Sequence, residues 1–346
     1  MIMTNAEMKI DSANEEKAKI LITSATGKTG FQATIKLLKD GYPVRIMVHS
    51  RNAKASELEN LGAEIVVGNL ADYADLTKAL KDVKRVYYCY PLIPGLLDGT
   101  KTFIKAAKEQ NIEAIVNMGQ RLADFDDQKS VHTNQIKESY KVYEQSGLNV
   151  IQFTPGFFAD NMRFVVEFAV QFGLMLVPHG EGKNPAISNE DLGLVIAALL
   201  ENPNPYFGKK IRPTGPKSLS SKEMAEVFTK VSGRKVRYIN MPLWLFVKGA
   251  FKSAKEFGLN AFTISQVRYY FREYQANKFD IGGVTNVVKE ITGKEPDDFE
   301  TIVKDLIDNS PYKQRNFTNR LAALKKFMEI PFQPVLSVRE LEKLNG

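Results

Sequence analysis

Short apolar runs alternate with amphipathic stretches of helical length from Ala18 to Phe153, and few architectures accommodate that rhythm. The runs 19–23, 44–48, 64–67, 85–90, 114–118 and 149–153 predict strands. Between them, 29–40, 54–61, 73–81, 98–110 and 132–145 predict helices; Gly41 and Gly147 end two of these, and Pro91 stops a strand. Strands joined by single helices over short links must run parallel, and their crossovers are right-handed. The expected fold is therefore α/β: a doubly wound parallel sheet of Rossmann type, with helices on both faces. After Thr154-Pro155-Gly156 the rhythm changes. An aromatic-rich stretch over 157–172, helices over 191–200 and 221–232, and a mostly helical remainder beyond Pro242 predict a smaller, mostly helical second lobe. The expected organisation is a disordered leader over 1–17, a sheet domain over 18–155 and a lobe over 156–310 that partly returns to the sheet. A helical C-terminal extension over 311–346 completes it.

Composition narrows the function classes. With 44% hydrophobic and 25% charged residues among 346, this is an ordinary globular composition. No apolar run approaches the ~20 residues of a bilayer crossing. The segment 1–17 is polar, carries Glu15 and Glu16 and lacks the apolar centre of a secretory signal. Cys89 is the only cysteine, so no internal disulfide can form, which fits a reducing compartment and a cytoplasmic location. The net charge of +7 is spread along the chain rather than gathered into a stripe; neither a nucleic acid nor a membrane is expected as partner. His49, His132 and His179 lie far apart in sequence and no cysteine pair exists, so no metal site is expected.

The first strand runs directly into Ser24-Ala25-Thr26-Gly27-Lys28-Thr29-Gly30 and then a helix. A helix start presents unpaired N–H groups and the positive end of its dipole, which together hold a diphosphate. Gly27 admits close approach of the backbone to that anion, and Gly30 lets helix and strand pack closely. The first glycine of the usual pattern is replaced by Ser24. A P-loop is excluded, because its leading glycine would have to stand at Ile22. After the second strand, an NAD site would offer a carboxylate to the ribose. Here Val48 is followed by His49, Ser50 and Arg51, with Lys54 beyond. A guanidinium suits a 2′-phosphate through charge-assisted bonds, so the expected cofactor is NADP(H).

With these motifs placed, the chain resembles the NmrA-like branch of the atypical short-chain dehydrogenase/reductases. The likeness runs from about Lys19 to Leu306. It is carried by the 24–30 turn, Gly68-Asn-Leu-Ala-Asp72, Ser146-Gly147 with Thr154-Pro-Gly-Phe-Phe-Ala-Asp-Asn161, Asn189-Glu-Asp-Leu-Gly193, and Thr214-Gly-Pro216 with Ser221-Lys-Glu223. The resemblance implies that Asn69 and Leu70 meet the adenine and that Tyr90 and Pro91 border the ribose and nicotinamide. Phe157 and Phe158 would line the substrate side.

The same resemblance raises the question of catalysis. A Tyr-x-x-x-Lys pair occurs only at Tyr206 and Lys210, in a loop and far from the expected helix. Related proteins carry a His followed four residues later by Lys. Here His132 fits, but Ile136 takes the fourth place and the lysine is displaced to Lys137, about 100° around the helix. Thr154 stands where the family has Arg, and Met118-Gly119 where it has Ser-Ser. His132 and Lys137 remain the candidate proton donors. Reduction of a simple ketone needs such a donor, whereas a quinone yields a phenolate of pKa ~10 that tolerates its absence. Two functions stay open: an NADPH-dependent oxidoreductase acting on quinone-like or other activated acceptors, and a non-catalytic NADP(H) redox sensor working through a protein partner.

The tail from Pro311 to Met328 holds Lys313, Arg315, Arg320, Lys325 and Lys326 and no acidic residue. Phe317, Leu321, Leu324 and Met328 fall on one face of a helix. The expectation is that this stripe docks on the body while the lysines face water; the alternative is that the helix meets an acidic partner or nucleic acid.

Overall fold

The computed structural model describes residues 17–344, so the expected leader lies outside the described residues except for Lys17. Strands β1 (Ile20–Thr23), β2 (Val44–Val48), β3 (Glu64–Val67), β4 (Arg85–Tyr88), β5 (Ala114–Met118) and β6 (Val150–Phe153) form one sheet in the order β3-β2-β1-β4-β5-β6. Each neighbouring pair is parallel. A short seventh strand, Lys210–Ile211, joins the β6 edge, also parallel. The connecting helices are α1 (Lys28–Lys39), α2 (Ala53–Asn60), α3 (Tyr73–Leu80), α4 (Leu96–Glu109) and α5 (Val131–Glu144). The doubly wound α/β expectation is met. All residues of β1, β2 and β6 are buried, as strands covered on both faces require.

One face of the sheet packs against α1 together with Asn189–Glu201, a helix that follows the second lobe in sequence. Gly193 makes that contact possible: a Cβ there would lie 2.8 Å from the Ala33 amide nitrogen of α1. The opposite face is filled from α3 and α4, with Phe103 stacked on Tyr88 at 4.0 Å between centroids.

The second lobe has a core of its own, in which Phe157 packs with His179, Phe271, Tyr274 and Phe279. Two small sheets join its helices. Leu174–Val177 pairs in parallel with Arg237–Asn240, and Lys183–Asn184 pairs antiparallel with Leu219–Ser220. Their strands are too short and too irregular in polarity to show in the sequence.

The tail forms a helix over Phe317–Glu329, but it docks with the opposite face to the one expected. Ala323 is buried, and Lys326 reaches inward between Glu167 (3.0 Å) and Glu256 (2.9 Å). Phe317, Leu321, Leu324 and Met328 are 81%, 54%, 45% and 63% exposed. The lysine stem reaches partners in the body that sequence spacing could not reveal, and the helix rotates to satisfy that pair. No described helix is long and apolar enough to cross a membrane.

Candidate functional site

In this sheet β1 pairs with β2 on one side and β4 on the other, so the chain winds away in opposite directions from β1 and β4. A crevice opens above the C-terminal ends of two strands so arranged, and ligands of open α/β sheets bind there. The 24–30 turn occupies this point. Ser24 adopts the left-handed region, with φ 49°, which explains why a glycine is usual at its position. The serine is held there by its hydroxyl, which donates to the Cys89 carbonyl at 2.8 Å. Thr23 accepts from the Cys89 N–H at 2.8 Å, and Thr29 and Tyr87 share a hydrogen bond of 2.8 Å, so the turn is fastened to β4.

The amide of Gly27 donates to the Ser24 carbonyl at 2.8 Å, closing the turn, and α1 starts on Gly27 with no side chain capping it. A Cβ on Gly30 would sit 2.8 Å from the Ser24 carbonyl oxygen and 3.0 Å from the Ala25 Cα; one on Gly27 would sit 3.0 Å from the same oxygen. The glycines thus permit a backbone cradle at a helix start, and that cradle fits a diphosphate. Ala25 is buried beneath it and Thr26 half-buried.

From this turn a cavity of about 990 Å³ extends into the second lobe. Ser24, Gly27, Lys28 and Thr29 line its near end, with Tyr90, Pro91, Met118 and Gly119 beside them. Phe157, Phe158 and His132 line its middle, and Lys326, Phe327 and Ile330 of the tail line it further on. Tyr90 packs its ring on Gly99 and donates its hydroxyl to the Pro94 carbonyl at 3.3 Å. Lys28 bridges the two lobes: its ammonium lies 2.6 Å from Asp160 and 3.2 Å from the Asn161 amide oxygen. Burial pulls the Lys28 pKa below the usual value, and the charge of Asp160 opposes that pull.

The remaining expected cofactor residues sit at strand ends outside the cavity wall. His49 and Arg51 are exposed just beyond β2; Arg51 pairs with Glu59 of α2 at 2.6 Å, and Lys54 lies 5.2 Å from the Phe31 ring. The sequence showed no carboxylate in this loop; folding brings Glu59 to it from the end of α2. Past β3, the Asn69 N–H donates to Asp75 at 2.8 Å and its side chain accepts from Ala71 at 3.0 Å, which fixes the loop; Leu70 is half-buried.

The two candidate proton donors part company. Ser130 caps α5 and donates to Gln266 at 2.8 Å, which seats the helix start on the helix Ala261–Gln275. His132 is buried there, its Nδ1 3.0 Å from the Tyr270 hydroxyl and its Nε2 without a hydrogen-bond partner among the described residues. Burial lowers the His132 pKa to about 4 and raises that of Tyr270 to about 12, so both are neutral near pH 7. The hydrogen bond runs from the Tyr270 O–H to Nδ1 in one neutral tautomer and from Nδ1–H to the tyrosine oxygen in the other. Lys137 points elsewhere: its ammonium pairs with Asp126 and lies 3.5 Å from the Phe125 carbonyl, and it is not part of the cavity wall.

Sequence reasoning missed three contributors. Asp160 and Asn161 stood inside a quoted motif without a role, and they hold Lys28. Tyr270 carried no signal, because its partner is more than a hundred residues away. Gly119 has a steric cause: a Cβ there would fall on the hydroxyl of Tyr140, which accepts from the Gln120 N–H at 3.1 Å.

Among known proteins, NAD(P)H azoreductase of Xenophilus azovorans is 28% identical over 224 residues, 65% of this chain and 77% of that protein. A solved NADPH-dependent quinone oxidoreductase of Escherichia coli, in complex with NADPH, superposes with a TM-score of 0.68 at 22% identity, covering 83% of this chain and 99% of the other. NmrA, a negative transcriptional regulator solved with NADP, gives 0.71 at 16% identity, covering 87% and 100%. The profile of the NmrA-like family matches residues 16–293, and the chain belongs to that family.

Proposed function

We propose that this NmrA-like protein binds NADP(H) at the 24–30 turn and uses it to reduce quinone-like or similarly activated acceptors. The observation that carries this reading is the continuity of the cavity: the cradle at Gly27 and the apolar wall of Phe157, Phe158 and Met118 face one space. When bound, NADPH supplies a hydride. The protein's part is to hold the diphosphate on the backbone amides at the start of α1, with Arg51, His49 and Lys54 at the 2′-phosphate end of the site. Asn69 and Leu70 offer a loop for the adenine, and Tyr90 and Pro91 flank the nicotinamide side. An aromatic and aliphatic wall suits a flat acceptor.

His132 supports the choice of acceptor. As a neutral ring it can donate a hydrogen bond, which is enough help for a developing phenolate that takes its proton from water. Lys137, paired with Asp126, contributes nothing to this step. The azoreductase and quinone oxidoreductase relatives make activated acceptors the natural class to assay.

A redox sensor acting through a protein partner is the second reading, and the displaced Lys137 favours it, since the familiar acid–base pair is incomplete. The test is NADPH oxidation across quinones, azo compounds and aldehydes, run beside calorimetry. Turnover with quinones supports the enzyme. Tight NADPH binding with no turnover on any acceptor transfers the assignment to the sensor.

A further inference from the structure

We propose that the tail helix (Phe317–Glu329) docks on an anionic lipid surface. Its outward face carries Phe317, Leu321, Leu324 and Met328, each at least 45% exposed, in a single stripe. Turning the helix by ~100° per residue puts Arg320 on one side of that stripe and Lys325 on the other. Arg315 and Lys313 precede it, and no acidic residue occurs between Pro311 and Met328. An apolar strip edged by long cationic side chains is what an interfacial helix presents: the apolar groups enter the acyl boundary while Lys and Arg reach the headgroups.

The neighbourhood extends the same surface. Phe332, in the turn after the helix, is 85% exposed. Lys248 of the helix Leu243–Lys252 ties down this turn by donating to the Pro331 carbonyl, and its ammonium lies 6.0 Å from the ring of Trp244, itself 59% exposed. Trp and Phe beside basic residues suit the headgroup level. Charge decides between occupants. An exposed apolar face alone would accept a second copy of the chain, but Arg315, Arg320 and Lys325 would then meet their like around a symmetry axis. A negatively charged bilayer meets the same cations with attraction. Lying on a membrane needs none of the apolar length that spanning one requires, so the lack of a spanning helix among the described residues does not bear on it, and the proposal replaces the expectation of no membrane partner.

The arrangement goes beyond the proposed reaction and does not depend on it. Its reach into function comes from the inner face of the same helix, where Lys326 and Phe327 line the cavity. Docking would set the far wall of that cavity against the lipid.

The experiment is cosedimentation of the full chain, without NADPH, with vesicles of phosphatidylcholine alone and of phosphatidylcholine mixed with phosphatidylserine. Binding to the mixed vesicles only, weakened by salt, is expected. Arg320→Gln with Lys325→Gln should weaken it by about twenty-five-fold, at about fivefold per cation. Phe317→Ser with Leu321→Ser and Met328→Ser should abolish it. These side chains are exposed, and an unchanged thermal midpoint will show that the variant is folded. No sedimentation with either vesicle, equal sedimentation with both, or a triple variant that binds like the parent would overturn the proposal. So would elution as a dimer that the triple variant breaks, which would assign the face to a second copy. Since NADPH is absent throughout, failure here leaves the oxidoreductase reading untouched, and failure of turnover leaves this one untouched.

Discussion

The turn after β1 and the start of α5 face the same cavity, yet they are made in different ways. At the turn, backbone does the work: glycines, a serine in the left-handed region and an uncapped helix start shape a cradle whose side chains mostly fasten it to β4. At α5 everything depends on which side chain a distant helix offers. His132 finds Tyr270, and Lys137 finds Asp126. Backbone devices are local and tolerate little substitution, whereas side-chain devices depend on partners far away in sequence. On the proposed reading, the dinucleotide site is the part built of backbone and the proton donor the part built of side chains.

The largest expected effect tests the backbone part. Gly30→Ala pushes a methyl against the Ser24 carbonyl and the Ala25 Cα, both backbone atoms that cannot swing away. Overpacking of this kind costs about 1–3 kcal/mol of stability. Displacing two amides from a diphosphate loses charge-assisted bonds of about 1.5–3 kcal/mol each, so NADPH affinity should fall at least about a hundredfold. Gly193→Ala is the control: it strains the packing on α1 and lowers the thermal midpoint, but leaves the cradle intact. Calorimetry on both variants that found equal NADPH affinities would erase the distinction.

Next comes the side-chain device. His132→Phe keeps a buried ring and removes a hydrogen-bond donor, so turnover with a quinone should fall about fivefold to tenfold, with NADPH affinity unchanged. Acid stability offers a second readout. Burial lowers His132 to about 4 and His179 to about 3, against about 6.5 when unfolded. The unfolded chain therefore takes up protons first as pH falls below about 6.5, and stability declines from there toward pH 4. The slope is roughly 1.4 kcal/mol per pH unit for each histidine. Thermal midpoints measured across that window should show a shallower decline in His132→Phe; an unchanged slope would mean the ring is already charged in the fold.

How much of this was legible follows the same division. Strand–helix alternation and β1 running into Gly27 and Gly30 could be read directly, because period and turn chemistry are written in neighbouring residues; the packing of Gly193 on α1 could not, because its partner lies far away in sequence. The short strands at Leu174–Val177 and Arg237–Asn240 were not, since each is defined by its partner rather than its pattern. The tail helix was visible, but its docked face was not: amphipathicity named the stripe, and the pairing of Lys326 with Glu167 and Glu256 turned it outward. Glu59 meeting Arg51 was hidden for the same reason, although it lies only eight residues away.

Arg51 provides the intermediate test. On the proposed reading it serves the dinucleotide through a side chain, so it belongs to both halves of the comparison. Arg51→Glu should weaken NADPH by about tenfold or more while NADH binds as before or slightly better, because only the 2′-phosphate meets the new charge. Equal losses for both dinucleotides would instead place Arg51 in the general support of the loop through Glu59.

The smallest effect is expected at Lys137, and for that reason it discriminates well. Family likeness makes this lysine a catalytic candidate, whereas geometry makes it one half of a surface pair with Asp126, whose side chain is 98% exposed. Exposed pairs contribute little to stability. Lys137→Met should therefore leave the thermal midpoint, NADPH affinity and quinone turnover within about twofold of the parent, whereas loss of a working general acid would cost about a hundredfold or more. If turnover instead collapses with affinity intact, α5 must turn or shift when acceptor binds, so that its lysine exchanges Asp126 for the reacting oxygen. The side-chain part of the site would then be mobile, and His132 would become the support and Lys137 the donor.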